Sequence, residues 1–516
     1  MLTGPFDSQI RVTEISPMDQ PIERRSQTTA AFIGRALRGP LNTAVSIRGM
    51  ADFSRRFGGV WSRSSLGPAV EQFFAHGGRQ LYVVRVANYA RGAMICLPAH
   101  HGVLVLRALE PGSTEQIRAA VDYDGIDTAD TERFNLIVQR VSPINGHVID
   151  QEIYRRVSAD PEHNTYIGDA LLSSALVTLQ LPLPAGRPAA TMGRHVGHGA
   201  AYVGHAQRGS DGSDLCDYDL IGSAAKGTGL FALDAIDRLD LLYLPPLARG
   251  QDAGPAALVA AERYCRRRGG MLLVDPPSTW TDARSAVAGM RQTGYRSPNM
   301  LSYFPRMTLR GSDDPSPRGV GGAIAGLLSK LDALEGPWGD LAQRAFAFNR
   351  TLSPALGVDG SDIAQLNRAG LNAIAADDSG RAMIRGAVTL GRGSESDRQF
   401  ALLPARRLSL AITNTVERAT RWAIFEADGT RLSEHVYSQV DAYMQSLAEA
   451  GAFADANYRV QCDAGPTLPP AAPARSITVL LMFRPRGCNE PVSLTLHQTI
   501  SGCRVASTAF APAACA

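Results

Sequence analysis

Asp275 is the carboxylate that the strand pattern places where an α/β enzyme would use one. It follows the apolar run Met271–Val274, and open α/β sheets bind ligands beyond the carboxyl ends of their strands. The neighbouring strand ends read Pro245-Pro246, Pro276-Pro277 and Pro305. Proline has no N–H with which to hold a phosphate or an oxyanion. Asp275 has no evident catalytic partner, and an Asp that initiates a turn is the better reading. Two glycine-rich runs could cradle phosphates. Gly222-Ser223-Ala224-Ala225-Lys226-Gly227-Thr228 lacks the spacing of a P-loop, and Gly319-Val320-Gly321-Gly322-Ala323-Ile324 carries Ile where a dinucleotide fingerprint needs its third Gly. His195, His198, His205 and Cys216 are metal-ligating types, but their spacings match no closed zinc site, and their segment is Gly-rich and linker-like. No G-x-S-x-G or H-E-x-x-H occurs. The expectation is no catalytic residue, no cofactor and no metal.

The composition agrees. The 516 residues suggest three or four domains at about 150 residues each. With 45% hydrophobic and 20% charged residues, the chain is neither disordered nor collagenous nor a coiled coil. The balance of 52 basic against 49 acidic residues demands no nucleic-acid face, so no nucleic acid is expected as a partner. Lys226 and Lys330 are the only lysines; the other basic residues are Arg, which suits bidentate interface pairs. Seven scattered cysteines without a CxxC fit a reducing compartment. Met1 to Gln9 shows no secretory leader, and no apolar run approaches the roughly 20 residues that cross a bilayer, so cytoplasmic synthesis without membrane insertion is expected.

The elements that would position these residues fall into five stretches. Residues 1–29 read as an extended arm: Ile10 and Val12 alternate with Arg11 and Thr13, and Pro17 and Pro21 forbid a helix. Residues 30–90 hold buried-strand runs at Ala30–Gly34 and Leu81–Val86 with helices between them. Residues 91–200 form an inserted β-rich block that ends in a Gly/His-rich linker. Residues 201–400 alternate strand and helix: Leu239–Leu244, Met271–Val274 and Asn299–Phe304 with crossover helices at Pro255–Arg268 and Ala283–Met290. This order implies parallel strands. Residues 401–516 carry helices at Ser409–Glu426 and Leu432–Ala450, then strands at Tyr458–Cys462, Ile477–Phe483 and Val492–Ile500. In the last, Val492, Leu494 and Leu496 share one face while Ser493, Thr495 and His497 share the other. The fold class is therefore α/β (α+β multidomain), an inner α/β core with an inserted β-rich domain and strand arms at both ends. Strands at chain ends leave unpaired N–H and C=O groups. They pair either within their own subunit or, by β-augmentation, with a neighbour.

At this point a resemblance becomes visible. Ile15, Pro21-Ile22, Thr28–Gly34, Arg38-Gly39-Pro40, Phe53–Gly58 and Phe73–Gly78 leading into Tyr82–Val86 resemble the opening of contractile phage-tail sheath proteins. Asp275-Pro276-Pro277, Tyr303-Phe304-Pro305, Gly322–Leu327, Leu371–Ile374, Gly386–Leu390 and Tyr458–Val460 continue it collinearly over nearly the whole chain.

The resemblance implies a structural subunit, not an enzyme. It implies self-assembly as six-fold helical discs around an inner tube protein, with baseplate and tail-terminator or cap proteins as further partners. It implies contraction that drives the tube through a target envelope. Because one chain carries both arm and C-terminal domain, it points to phage tails, tailocins or extracellular injection systems. Strand addition between subunits would use Ile10, Arg11, Val12 and Thr13 at one end and Val492, Ser493, Leu494, Thr495, Leu496 and His497 at the other. By the same analogy Glu434, Asp441 and Glu449 on the helix Leu432–Ala450 would face the tube. An α/β ligand-binding protein or hydrolase-like enzyme is the alternative from another class, and a non-contractile capsid-like shell protein a third.

Overall fold

The computed structural model describes residues 20–24, 27–191, 201–248, 250–312, 314, 316–344, 346–392, 398–424, 429–466, 475–499 and 502–506. Ile10, Arg11, Val12, Thr13, Pro17, His195, His198 and Phe425-Glu426 lie outside the described residues.

Runs of small and apolar residues from distant parts of the chain meet in one sheet. β1 (Ala30–Gly34) is buried throughout. After β2 (Ala44–Ile47) and helices α1 (Met50–Phe57) and α2 (Leu66–Ala75), β3 (Leu81–Arg85) pairs with β1 in parallel, Ala30 opposite Leu81. Parallel neighbours need a crossover, and α1 with α2 supplies it.

The chain then leaves the sheet. β4 (Met94–Ala108), β5 (Ile117–Asp122), β6 (Arg133–Val141), β7 (Val148–Ser158), α3 (Ile167–Leu171), β8 (Val177–Gln180), β9 (Ala185–Pro188) and β10 (Val203–Gly204) build two antiparallel sheets, in orders β10-β5-β6-β7 and β8-β4-β9. Their alternating inward residues, among them Ile95, Leu97, Leu104, Leu106, Phe134 and Leu136, share a core of their own. Bridges Asn88–Ser213, Arg91–Ser210 and Met94–Gln207 run the entering and leaving strands side by side, so the pairing of this block continues past position 200.

On return come α4 (Asp217–Ile221), β11 (Leu241–Tyr243), α5 (Pro255–Arg268), β12 (Met271–Val274), α6 (Ala283–Thr293), β13 (Met300–Phe304), β14 (Met307–Leu309), α7 (Gly321–Leu334), β15 (Leu352–Pro354), α8 (Gly360–Arg368), β16 (Asn372–Ala376) and β17 (Ala382–Arg385). The eight-stranded order is β17-β16-β13-β12-β11-β1-β3-β2. Only the edge strands β2 and β17 run antiparallel to their neighbours. α1, α2 and α7 cover one face, and α4, α5, α6 and α8 the other. Local signals explain the boundaries: α5 begins at Pro255, places Arg266, Arg267 and Arg268 in its last turn, and ends on left-handed Gly269.

The last stretch packs α9 (Leu403–Ala419) and α10 (Gly429–Glu449) on one antiparallel sheet of β18 (Phe453–Pro466), β19 (Arg475–Pro485), β20 (Val492–Thr499) and β21 (Gly502–Ala506), in that order. Leu408, Ile412 and Val416 of α9, Val436, Val440 and Met444 of α10, and Val479, Leu481 and Leu494 of the sheet form its core. α9 differs from the expected span Ser409–Glu426. It begins earlier because Pro404 sits in the first turn, where no N–H is needed, and it gives way to a tight 3-10 turn at Arg421–Ile424. A buried ion pair, Arg407 Nη2 to Asp332 Oδ2 at 2.5 Å, joins α9 to α7, and the Thr28 hydroxyl donates to the same carboxylate.

Candidate assembly interface

The carboxyl ends of β1, β3, β11, β12 and β13 form the crevice where this kind of sheet binds ligands, with the switch in strand order between β1 and β11. The protein's own side chains fill it. Arg85, only 1% exposed, closes β3. Its guanidinium donates to the carbonyls of Ala36 at 3.0 Å, Gly39 at 2.6 Å and Pro111 at 2.7 Å. Burial lowers its pKa to about 10. Arg35, just after β1, donates to the carbonyls of Asp211 at 2.9 Å and Gly212 at 3.1 Å, pairs with Asp214 at 3.3 Å and lies over Trp61. Pro111 lies in the inserted domain between β4 and β5, and Asp211–Asp214 follow that domain, so these two arginines clamp it to the sheet.

Asp275, at the end of β12, is half-buried. One carboxylate oxygen accepts the Tyr243 hydroxyl at 2.5 Å; the other accepts the N–H groups of Val320 at 3.0 Å and Gly321 at 3.1 Å. The start of α7 is thus an anion site, and an internal carboxylate occupies it. Burial raises the Asp275 pKa, against the opposing pull of Arg306 and these hydrogen bonds. Arg306 donates to the Pro276 carbonyl at 2.8 Å and pairs with Asp252, which also takes the Ser278 N–H at 2.8 Å. The hollow left beside them has a volume of about 40 Å³, against about 300–1,000 Å³ for typical ligand pockets. The glycines of the Gly319–Ile324 run serve packing: a Cβ on Gly321 would lie 2.2 Å from the Tyr243 ring, and one on Gly322 would lie 2.2 Å from the Ala69 carbonyl.

The other sequence candidates separate. The Gly222–Thr228 run closes on itself, with the Ser223 N–H donating to Thr228 Oγ1 at 2.9 Å, and Lys226 points to solvent. Cys216 is exposed at the start of α4 and its N–H donates to Asp219. Among the described residues no group of three or more His, Cys, Asp or Glu is placed to hold a metal, and no described helix is long and apolar enough to cross a membrane.

Larger hollows lie elsewhere. One of about 1000 Å³ runs along the amino ends of the strands, between α5 and the C-terminal domain, walled by Arg266, Arg268, Arg406, Arg418, Leu494 and Val505. It borders the margin of the C-terminal sheet. In that sheet Val492, Leu494 and Leu496 are buried against α9 and α10, and Ser493 and Thr495 are covered as well; His497 is exposed. On one side the whole run Val492–His497 pairs with β19; on the other, β21 covers it only from Thr495 onward. Among the described residues, the strand segments at the margins are therefore β18, β21 and the run Val492–Leu494 beside β21. Sequence reading missed β21, which is short and of mixed polarity.

The described part of the N-terminal segment also reaches this domain. The Gln20 carbonyl accepts the side-chain amide of Gln439 on α10 at 3.1 Å, and Ile22 packs on the same core. Glu434 and Glu449 are exposed on α10 and Asp441 is half-buried; Glu449 accepts from Gln445 at 3.0 Å. Their spacings of seven and eight residues keep the three on one helical face.

No protein-family model matches this chain, and no curated protein matches its sequence. Solved structures do match in fold. The sheath tail protein Lin1278 from Listeria innocua superposes with a TM-score of 0.63 at 12% identity, over 93% of this chain and 97% of that one. The sheath tail protein DSY3957 from Desulfitobacterium hafniense gives 0.55 at 13% identity, over 95% and 100%. The sheath of an extracellular contractile injection system, PVC, in its contracted state gives 0.52 at 14% identity, over 93% and 93%. From its α/β sheet to its C-terminal strands, the chain has the fold of these sheath proteins.

Proposed function

We propose that this chain is the structural subunit of a contractile sheath. It polymerises as six-fold helical discs around an inner tube protein, meets a baseplate at one end and a terminator or cap protein at the other, and contracts to drive the tube through a target envelope. The observation that carries the reading is the sheath fold itself, spanning 93% of the chain. An α/β ligand-binding or hydrolase-like enzyme would need an open crevice at the carboxyl ends of the strands, and that space holds Arg85, Arg35 and Asp275.

In this reading the C-terminal domain is the linking unit. The first described residue, Gln20, and the last strand, β21, both belong to it. Ile10, Arg11, Val12 and Thr13 of one copy add a strand to a neighbour at the sheet margin formed by Val492–Leu494 and β21. Main-chain hydrogen bonds of that kind hold while linkers flex. Ion pairs between subunit bodies, about 0–1 kcal/mol each when exposed, exchange at little cost during contraction. Glu434, Asp441 and Glu449 face the tube. Deleting residues 1–20 tests the arm: helical assembly disappears while a folded monomer remains, and undiminished tube formation refutes it.

A further inference from the structure

A second basic hollow lies on the face of the α/β sheet that α4, α5, α6 and α8 cover. It has a volume of about 330 Å³ between α6 and α8, and Arg291, Arg296, Arg368 and Arg392 stand around it. Among the described residues, no carboxylate contributes to its walls. Arg291 and Arg368 sit in the last turns of α6 and α8, where a cation offsets the helix dipole. Arg296 and Arg392 lie in connecting segments, where that reason does not apply. Four like charges around one concavity repel one another unless an anion joins them.

Elsewhere the chain carries the opposite imbalance. The loop between β5 and β6 holds Asp122, Asp124, Asp127, Asp130 and Glu132 with no basic residue among them. Arg156 and Arg187 donate to its Gly125 and Asp130 carbonyls, but among the described residues only Asp130 of the five carboxylates is ion-paired, with Arg133; Asp124, Asp127 and Glu132 are exposed. This loop belongs to the inserted domain, which is clamped to the sheet at β1 and β3. α6 and α8 flank β13 and β16, in the opposite half of the strand order.

We propose that the arginine-lined hollow between α6 and α8 receives the acidic Asp122–Glu132 loop of a second copy of this chain. Arginine forks match carboxylates in bidentate geometry, and opposed charged patches fix both partner and register. The inference rests on the subunit reading above, and the test separates the two. R291E/R368E and D124R/D127R are made in the full chain and then combined, with folding checked by thermal melting. Each double variant raises the protein concentration needed for helical assembly about tenfold or more, and the quadruple variant restores it to within about threefold of the parent. If either double variant assembles like the parent, or the quadruple is no better than the doubles, this pairing is wrong while the subunit reading stands. If the unmodified chain forms no helical particle, both fall.

Discussion

Tyr243 on β11 donates its hydroxyl to Asp275 at the end of β12, and the other oxygen of that carboxylate holds the first N–H groups of α7. A position that a nucleotide-binding sheet would reserve for a phosphate is thereby a structural cap. Replacing Asp275 with Ala strands the Tyr243 hydroxyl and two backbone donors in a buried site, at a cost of about 3 kcal/mol. Tyr243→Phe leaves the backbone contacts and costs about 1 kcal/mol. Urea unfolding measures both, and equal effects from the two substitutions would contradict the capping role.

The Arg407–Asp332 pair ties the C-terminal domain to the α/β sheet. Burial raises the Asp332 pKa, while Arg407 and the Thr28 hydroxyl oppose the rise. Asp332→Ala leaves a buried guanidinium without its anion and lowers stability by about 3–5 kcal/mol, whereas the apolar pair Asp332→Leu with Arg407→Met recovers much of the loss. Equilibrium unfolding of the three proteins decides the point.

His76 predicts an acid limb in the stability profile. Nδ1 bonds the Gln72 carbonyl at 2.7 Å, and Nε2 accepts the Asn349 N–H at 3.1 Å, so the ring is held neutral. Burial lowers its pKa, and Lys330 lowers it further. A depressed folded pKa means that the unfolded chain takes up the proton first. The contribution is therefore fully present above about pH 6.5 and is lost as the pH falls below that value. Urea midpoints measured between pH 7.5 and 5 drop for the parent protein, and His76→Gln removes about 1 kcal/mol of that drop.

Arg85 makes the inserted domain's attachment testable. Arg85→Met removes donors from the carbonyls of Ala36, Gly39 and Pro111 and lowers stability by about 3 kcal/mol. Limited proteolysis then cuts at residues 86–92 and 109–116 faster than in the parent. An unchanged digestion pattern would show that the clamp is dispensable.

The parallel sheet was legible in the sequence because its strands are short, mostly apolar runs separated by helical periods; β1, β3, β11, β12 and β13 could be read within two or three residues. α5 was legible from its proline start and glycine stop. The closed crevice was not. Arg85 fell inside an expected strand and Arg35 just past another, and nothing in their local sequence tells that carbonyls more than 20 residues away enclose them. Asp275 was visible as a candidate, but its partners Tyr243, Val320 and Gly321 come from three other elements, so its role depended on tertiary packing. The alternation of β20 was correctly read, yet a period of two cannot show which side of a strand is already paired, and β21 decides that.

The central claim is that this chain acts as assembled fabric. Electron microscopy of the purified full-length protein tests it most directly. The account predicts hollow helical tubes with six-fold symmetry, in which each copy's C-terminal sheet gains a strand from a neighbour. Particles without screw symmetry, or a monodisperse monomer at every concentration and salt, would contradict it.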